Sequence, residues 1–250
     1  MMNSELPLIS CICVTKNRPA LLRRAIGCFR RQTYVNKELL IVYDEGDQCT
    51  EEVINTISSK NIRYLRVPAG LKMTLGALRN FGIEHAKGEL ICQWDDDDWY
   101  HIGRLEFQQA VIRETGMKGC VLTQWIIYDE KLKKAYFSIS RLWEGSLMCD
   151  RDTLIKHKYA NKKKSEDSDL VTFLFTHHYL FPLDEVPHLY IYTYHGKNTW
   201  GRGHFNYYFK LSQEMDSLSS SKISALLEKT NPKRNDSMLL DSLVDINIFD

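Results

Sequence analysis

No charge of one sign dominates this chain: 33 Lys and Arg stand against 32 Asp and Glu, a net charge of +1. Such balance excludes a broad electrostatic grip on nucleic acid, although not a local basic patch. No apolar run approaches about 18 residues, which argues against a transmembrane helix. The first residues, "MMNSELPLISCICV", show neither a basic leader nor a small-residue cleavage site, which argues against a secretory signal. CxxC is absent, and the seven cysteines (Cys11, Cys13, Cys28, Cys49, Cys92, Cys120 and Cys149) are scattered. Reduced thiols and a cytoplasmic place are expected from that. Neither GxGxxG nor GxxxxGK[ST] occurs, so a Rossmann dehydrogenase and a P-loop NTPase are set aside. No internal repeat is present.

What is there suits one large α/β domain. The chain has 250 residues, 44% apolar and 26% charged, enough for a proper core. Apolar runs at 8–14, 38–43, 62–67 and 89–94 read as strands. Helical periodicity fills 19–32, 50–60 and 74–88, with Thr50 and Thr74 as candidate N-caps. Alternation of this kind predicts a mostly parallel central sheet flanked by helices, with ligands beyond the carboxyl ends of the strands. The second half is mixed. A helix is predicted over 102–115, a hairpin over 120–139, a strand over 142–149, a helix over 166–178, and a strand running into a glycine-containing loop over 188–205. Residues 211–250 read as a loosely attached helical tail.

The stretch that points to chemistry is "ELICQWDDDDWYH". Four consecutive aspartates, Asp95 to Asp98, follow a buried strand and lie between two tryptophans. Carboxylates so close repel one another, and a common stabiliser is a divalent cation. Mg²⁺ or Mn²⁺ needs only one or two protein carboxylates when substrate phosphates and water supply the rest. A D-x-D at the lip of an α/β sheet therefore predicts a metal clamping a diphosphate. A solvated acidic turn is the alternative, and the apolar lead-in with its flanking tryptophans argues against it.

Residues 8–205 resemble a family 2 glycosyltransferase with the GT-A fold. "ISCICVTKNRPALLRRAIGCFRRQTYVNKELLIVYDEGD" is similar to that family's opening strand–helix–strand. "LGALRNFGIEHAKGELICQWDDDDW" resembles its acid-loop segment, with Arg79, Asn80, Gly82, Ala86, Gly88 and Glu89 in order. "SEDSDL" looks like its Glu-Asp motif, and "YHGKNTW" like a segment of its bacterial members. Together the motifs are specific, although each alone is weak.

The resemblance implies roles residue by residue. Thr15, at the end of the first strand, and Asp44 and Glu45, in the turn after the second, would hold the nucleoside. The second turn acid accepts from a uracil N3–H in the family; Glu45 stands where Asp is usual, so uridine is implied with a slight shift of the base. Arg79 would lie by the nucleotide and Asn80 would order local backbone. Asp95 and Asp97 fall on the D-x-D. Asp97 would ligate Mn²⁺ or Mg²⁺, and Asp95 would reach the ribose or the metal through water. Asp96 takes the middle place of the nucleotide site, and Asp98 is expected to cap the next turn or orient Asp97. Ile102 replaces the family's proline before the next helix, leaving a register shift of one residue open. Asp167 matches the general base. Glu166 beside it, on the acceptor side, would orient the loop; acids there also suit a helix N-terminus. His195 would complete the metal shell or touch the diphosphate, with His204 the other histidine of that loop, and Trp200 would stack on an acceptor sugar or anchor a lid.

These roles imply an inverting glycosyltransferase that moves a sugar from a nucleotide-diphosphate sugar, most simply a UDP-sugar, to a hydroxyl of a glycan or glycolipid. Bacterial surface polysaccharide or lipopolysaccharide synthesis is the implied setting, with no nucleic acid partner. The implied organisation is a transferase domain over 1–210, with a nucleotide half at 1–100 and an acceptor half at 101–210. "KHKYANKKK" (156–164) reads as a solvated loop, or as a patch for a phosphorylated acceptor or for an anionic membrane at the inner face. A sugar-nucleotide pyrophosphorylase is the competing enzyme, but "TKNRPALL" lacks the glycine-rich first loop it needs. A non-catalytic nucleotide-sugar-binding module is the competing non-enzyme; an intact D-x-D with an intact Glu-Asp pair speaks against it.

Overall fold

The computed structural model describes residues 6–229 and 233–247. The first half alternates as β1 (Ile9–Val14), α1 (Pro19–Arg30), β2 (Lys37–Asp44), α2 (Gln48–Asn55), β3 (Ile62–Val67), α3 (Leu75–His85) and β4 (Leu90–Gln93). Then come β5 (Trp99–Tyr100), α4 (Arg104–Thr115), β6 (Gly119–Leu122), β7 (Ile126–Asp129), β8 (Lys134–Phe137), β9 (Met148–Asp150), α5 (Arg151–Lys156) and α6 (Ser168–Thr176). The chain closes with β10 (Leu180–Leu183), β11 (Tyr190–Tyr194), α7 (Arg202–Leu211), β12 (Gln213–Glu214), α8 (Ser217–Leu227) and α9 (Arg234–Asn247).

β1 is buried from Ile9 to Cys13 because both faces of its sheet are covered, so its sequence runs apolar without polar alternation. Pro19 starts α1, where a missing N–H costs nothing, and Leu22, Ala25, Ile26 and Phe29 are buried from it. Seven strands form the main sheet in the order β10-β6-β9-β4-β1-β2-β3. β9 is antiparallel to both β4 and β6; the other pairs are parallel. One sheet thus runs through both proposed halves of the transferase domain. A second sheet, β12-β8-β7-β11-β5, lies beyond the strand ends, and its member β5 follows the acid run directly.

Several elements differ from the expectation. The α2 helix begins at Gln48, capped by Asp47, which accepts from the Thr50 amide at 3.0 Å; Thr50 is buried inside the helix and does not cap it. The expected strand at 142–149 is a 3₁₀ turn, Glu144–Ser146, followed by the short β9. Helix α7 occupies part of what read as a loop, because Phe205, Tyr208 and Phe209 supply a buried face at helical spacing. Helices α8 and α9 do not hang loosely: Ile223, Leu226, Leu240 and Leu243 join the same core cluster as β1 and α1. Among the described residues, no helix is long and apolar enough to cross a membrane.

Gly76, at the start of α3, shows how tightly this helix meets the 160–166 loop. Its amide donates to the Lys162 carbonyl at 3.2 Å, and a Cβ there would overlap the Ala160 carbonyl oxygen. Backbone cannot step aside as a side-chain tip can. Gly76→Ala is expected to cost about 1–3 kcal/mol, read as a fall in Tm by calorimetry. An unchanged Tm would show the loop to be loosely held.

Candidate active site

The acid loop is held by its own base layer. Trp94 is fully buried, donates from its indole N–H to the Ala25 carbonyl at 3.2 Å, and packs on Tyr100 with ring centroids 3.9 Å apart. Above that layer each aspartate has a different partner. Asp95 accepts from Arg79 at 2.8 Å and from Gln93 at 3.2 Å. Asp96 accepts from the Thr15 hydroxyl at 2.6 Å and from Arg18 at 3.1 Å. Asp97 accepts from Arg18 at 3.0 Å, lies 3.1 Å from His195 Nε2, and accepts from Asn198 at 3.4 Å. Asp98 is buried and accepts from the Tyr190 hydroxyl at 2.5 Å and the Thr193 amide at 3.0 Å.

The repulsion expected of four adjacent acids is therefore met by the protein's own arginines, hydroxyls and amides. Asp98 ties the loop to β11 and does not cap α4, whose N-cap is Gly103 with no side-chain cap. Burial and the neighbouring Asp97 charge push the Asp96 carboxyl up to about 7. Burial pushes Asp97 up as well, but the His195 hydrogen bond and the charges of Arg18 and Arg24 outweigh it and hold this carboxyl below its ordinary value. Asp97 is therefore the acid of that pair that stays ionised.

The donor set fits a divalent ion shared with a substrate. Asp97 and His195 offer an oxygen and a nitrogen side by side, while no group of three His, Cys, Asp or Glu arranged to hold an ion occurs among the described residues. Phosphate and water would have to supply the remaining ligands. The Lys197 amide donates to His195 Nδ1 at 3.3 Å, which assigns the ring hydrogen to Nε2, facing Asp97. In this state His195 is a hydrogen-bond donor to the carboxylate, and ligation through Nε2 requires that hydrogen to leave.

Arg79 joins the acid loop to the loop before α6. Its guanidinium is buried, contacts Asp95, and donates from Nε to Glu166 at 3.0 Å; Nη1 has no hydrogen-bond partner among the described residues. Glu166 is likewise buried, and one of its carboxylate oxygens holds Arg79. Asn80 and Tyr159 exchange two hydrogen bonds, at 2.9 and 3.0 Å, and fix the other end of the same loop. Asp167 then stands at the start of α6 without a side-chain capping bond. Burial first, and the Glu166 charge second, push its carboxyl up to about 7. Arg79 opposes this shift; Glu144 and Asp95 add to it.

Asp95 to Asp98, Arg79, Glu166, Asp167 and Trp200 line one cavity of about 330 Å³. Its far wall is aromatic: Trp125, Trp143, Tyr190, Tyr192 and Tyr208 face it with Trp200. Trp200 is half-buried and stacks on His204 with centroids 4.5 Å apart, under Lys164 at 5.3 Å. Burial, then Arg141 and Lys164, push His204 down to about 4, so it is neutral at pH 7. Asp44 and Glu45 line a second cavity of about 650 Å³ with the 67–74 segment. Asp44 pairs with Lys16 at 2.7 Å, and Glu45 accepts from the Ala69 amide at 2.7 Å, which leaves its other oxygen for a ligand. Within the basic run, Lys158 pairs with Glu84 and Lys162 with Asp169.

Arg18, Arg24, Asn198 and the aromatic wall carry no local sequence signal of their place in the site. Arg18 was in plain view in "TKNRPALL", but nothing local says that it reaches residues 78 and 79 positions away. The wall comes from β7, β11, α7 and the turn before β9, which only the second sheet brings together.

Solved structures with this architecture include S. aureus TarS 1-349 in complex with UDP-GlcNAc (TM-score 0.58, 15% identity, 94% of this chain and 71% of that one). Another is the mannosyltransferase PcManGT from Pyrobaculum calidifontis with GDP-Man and Mn²⁺ (TM-score 0.59, 13% identity, 98% and 71%). Likeness at such identity is one of fold, and it places this α/β protein in the GT-A class. Residues 10–176 match the model of glycosyl transferase family 2, and the chain belongs to that family. Curated relatives include an uncharacterized glycosyltransferase, MJ1057, of Methanocaldococcus jannaschii, 27% identical over 199 residues, 72% of this chain and 68% of that protein. The amylovoran biosynthesis glycosyltransferase AmsB of Erwinia amylovora is 26% identical over 107 residues, 42% of this chain and 35% of its own length. The chain spans less than half the length of most of the curated relatives it matches.

Proposed function

We propose that the chain transfers a sugar from a nucleotide-diphosphate donor, UDP-linked, to an acceptor hydroxyl with inversion, using Asp167 as general base. The observation that carries this is Asp167: a carboxylate with no capping bond, poised near neutrality, facing the same cavity as the acid loop. Asp167 takes the acceptor proton as the acceptor oxygen forms its bond to the anomeric carbon. The bond from that carbon to the diphosphate oxygen breaks, and the nucleoside diphosphate leaves. One displacement at one carbon inverts it. The aromatic wall holds the apolar face of an acceptor sugar and excludes water. Arg79, fixed by two carboxylates, keeps the acid loop and the base loop in register.

A Mn²⁺ or Mg²⁺ ion, when bound, neutralises charge on the departing diphosphate; Asp97 would hold it, with Asp95 through water and His195 beside it. The complexes of TarS with UDP-GlcNAc and of PcManGT with GDP-Man and Mn²⁺ support the donor and metal classes. AmsB supports a place in polysaccharide synthesis. Chelation by EDTA is expected to stop transfer and Mn²⁺ to restore it. Proton NMR of the product should show the opposite anomeric configuration to the donor; retention would remove the single-displacement mechanism.

The base also sets a pH dependence. Below about 7 the Asp167 carboxyl is protonated and cannot accept a proton; above it the base form prevails. Transfer at saturating donor should therefore rise with pH through about 7 and then level. A flat profile between pH 5 and 8 would count against Asp167 as base.

A further inference from the structure

We infer that the C-terminal helix pair α8 and α9 braces the acid loop from behind, with Arg24 as the positioning residue for the backbone of Asp97. The inference rests on the donor-site reading above for its consequence, but not for its geometry. Arg24 is buried in α1. Its Nη2 donates to the Asp97 carbonyl at 2.7 Å, and its Nη1 donates to the carbonyl of Leu227, the last residue of α8, at 3.2 Å. The final carbonyls of a helix lack partners within it and carry partial negative charge, so a guanidinium is favoured there. One side chain thus joins the end of α8 to the backbone of the residue whose carboxylate would ligate the metal.

The other end of the same turn is tied to α9. The Ile102 amide donates to the Ser237 hydroxyl at 3.2 Å, and His101 Nε2 lies 3.3 Å from Asp241. Ser237 is buried, and Leu240, on the same helix, is fully enclosed in the core. Residues 97 to 102 are therefore tied at both ends to helices that lie outside the stretch matched by the family model, to α8 through Arg24 at Asp97 and to α9 directly at His101 and Ile102. Arg18 and Asn198, which line the cavity, and His195 all contact the Asp97 carboxylate. With the Asp97 carbonyl fixed by Arg24, the carboxylate keeps its direction when those partners move.

Arg24→Lys, which can reach one carbonyl but not hold two, and Ser237→Ala each remove one tie. Hydrogen exchange of the 97–103 amides should accelerate about tenfold or more in each variant, while β1 and β2 keep their protection. The concentration of Mn²⁺ that half-saturates UDP binding should rise about 10–100-fold, as when an outer partner of a metal ligand is removed. Excess Mn²⁺ should restore UDP binding, which a general loss of structure would not allow. If Arg24→Lys does not fold, Ser237→Ala alone decides. Unchanged exchange at 97–103 in a folded variant overturns the brace, as does unchanged Mn²⁺ dependence while Asp97→Ala loses it. If the unaltered protein binds no Mn²⁺ with UDP, the donor-site reading fails instead, and the exchange result still judges the brace.

Discussion

Asp167→Asn should retain donor binding and lose transfer by about 10²–10⁴-fold, the usual contribution of a positioned general base. The substitution keeps the shape of the side chain and removes only its ability to take a proton. The helix behind it should survive, because what Asp167 gives α6 is its backbone carbonyl, which accepts from the Val171 amide at 2.9 Å. No capping bond from the carboxylate is lost, since none is made. Donor affinity should also persist, since Arg79 pairs with Glu166 and Asp95 and leaves Asp167 out of the strut between the loops. The measurement is transfer rate and nucleotide affinity on the same preparation. A variant with full activity would remove Asp167 as base, and one that lost nucleotide affinity equally would make it a structural acid.

Asp97→Ala should do the reverse, weakening Mn²⁺-dependent UDP binding by about 100-fold or more, beyond what loss of an outer partner causes. Three side chains meet on this one carboxylate, and Asp97 is held ionised where its neighbour Asp96 is pushed toward protonation. The variant leaves Arg18 with Asp96 and the Lys197 carbonyl, and His195 Nε2 without its acceptor. Calorimetric titration of UDP with and without Mn²⁺ separates the two contributions: metal-independent binding should change little and the Mn²⁺ increment should vanish. The same titration on Asp95→Ala should show a smaller loss if Asp95 acts through water; an equal or larger loss would mean that the D-x-D register is shifted.

The strands, the acid loop's place at a strand end and the α/β class were legible because each rests on local signals. A buried parallel strand is an unbroken apolar run, and Gly, Thr and Asp at its ends mark where it stops. The roles within the acid run were less legible, since they depend on partners far along the chain. Asp98 looked like the start of a turn, but its partners Tyr190 and Thr193 stand 92 and 95 positions away on β11. Asp95, the acid expected at the ribose, is already engaged by Arg79, which the sequence put beside the nucleotide. The tail misled for a related reason. Its Ser- and Lys-rich surface resembles a solvated segment, while the few apolar positions that dock it, Ile223, Leu226, Leu240 and Leu243, are spread over two helices.

The most direct test of the account is nucleotide release from a panel of UDP-, GDP- and dTDP-sugars, each with Mn²⁺ and with EDTA. Release from a UDP-sugar is expected to need Mn²⁺, to fall with Asp97→Ala, and to be accelerated by an acceptor only while Asp167 is present. Absence of binding and release for every donor, with Asp97→Ala indistinguishable from the unaltered chain, would contradict it.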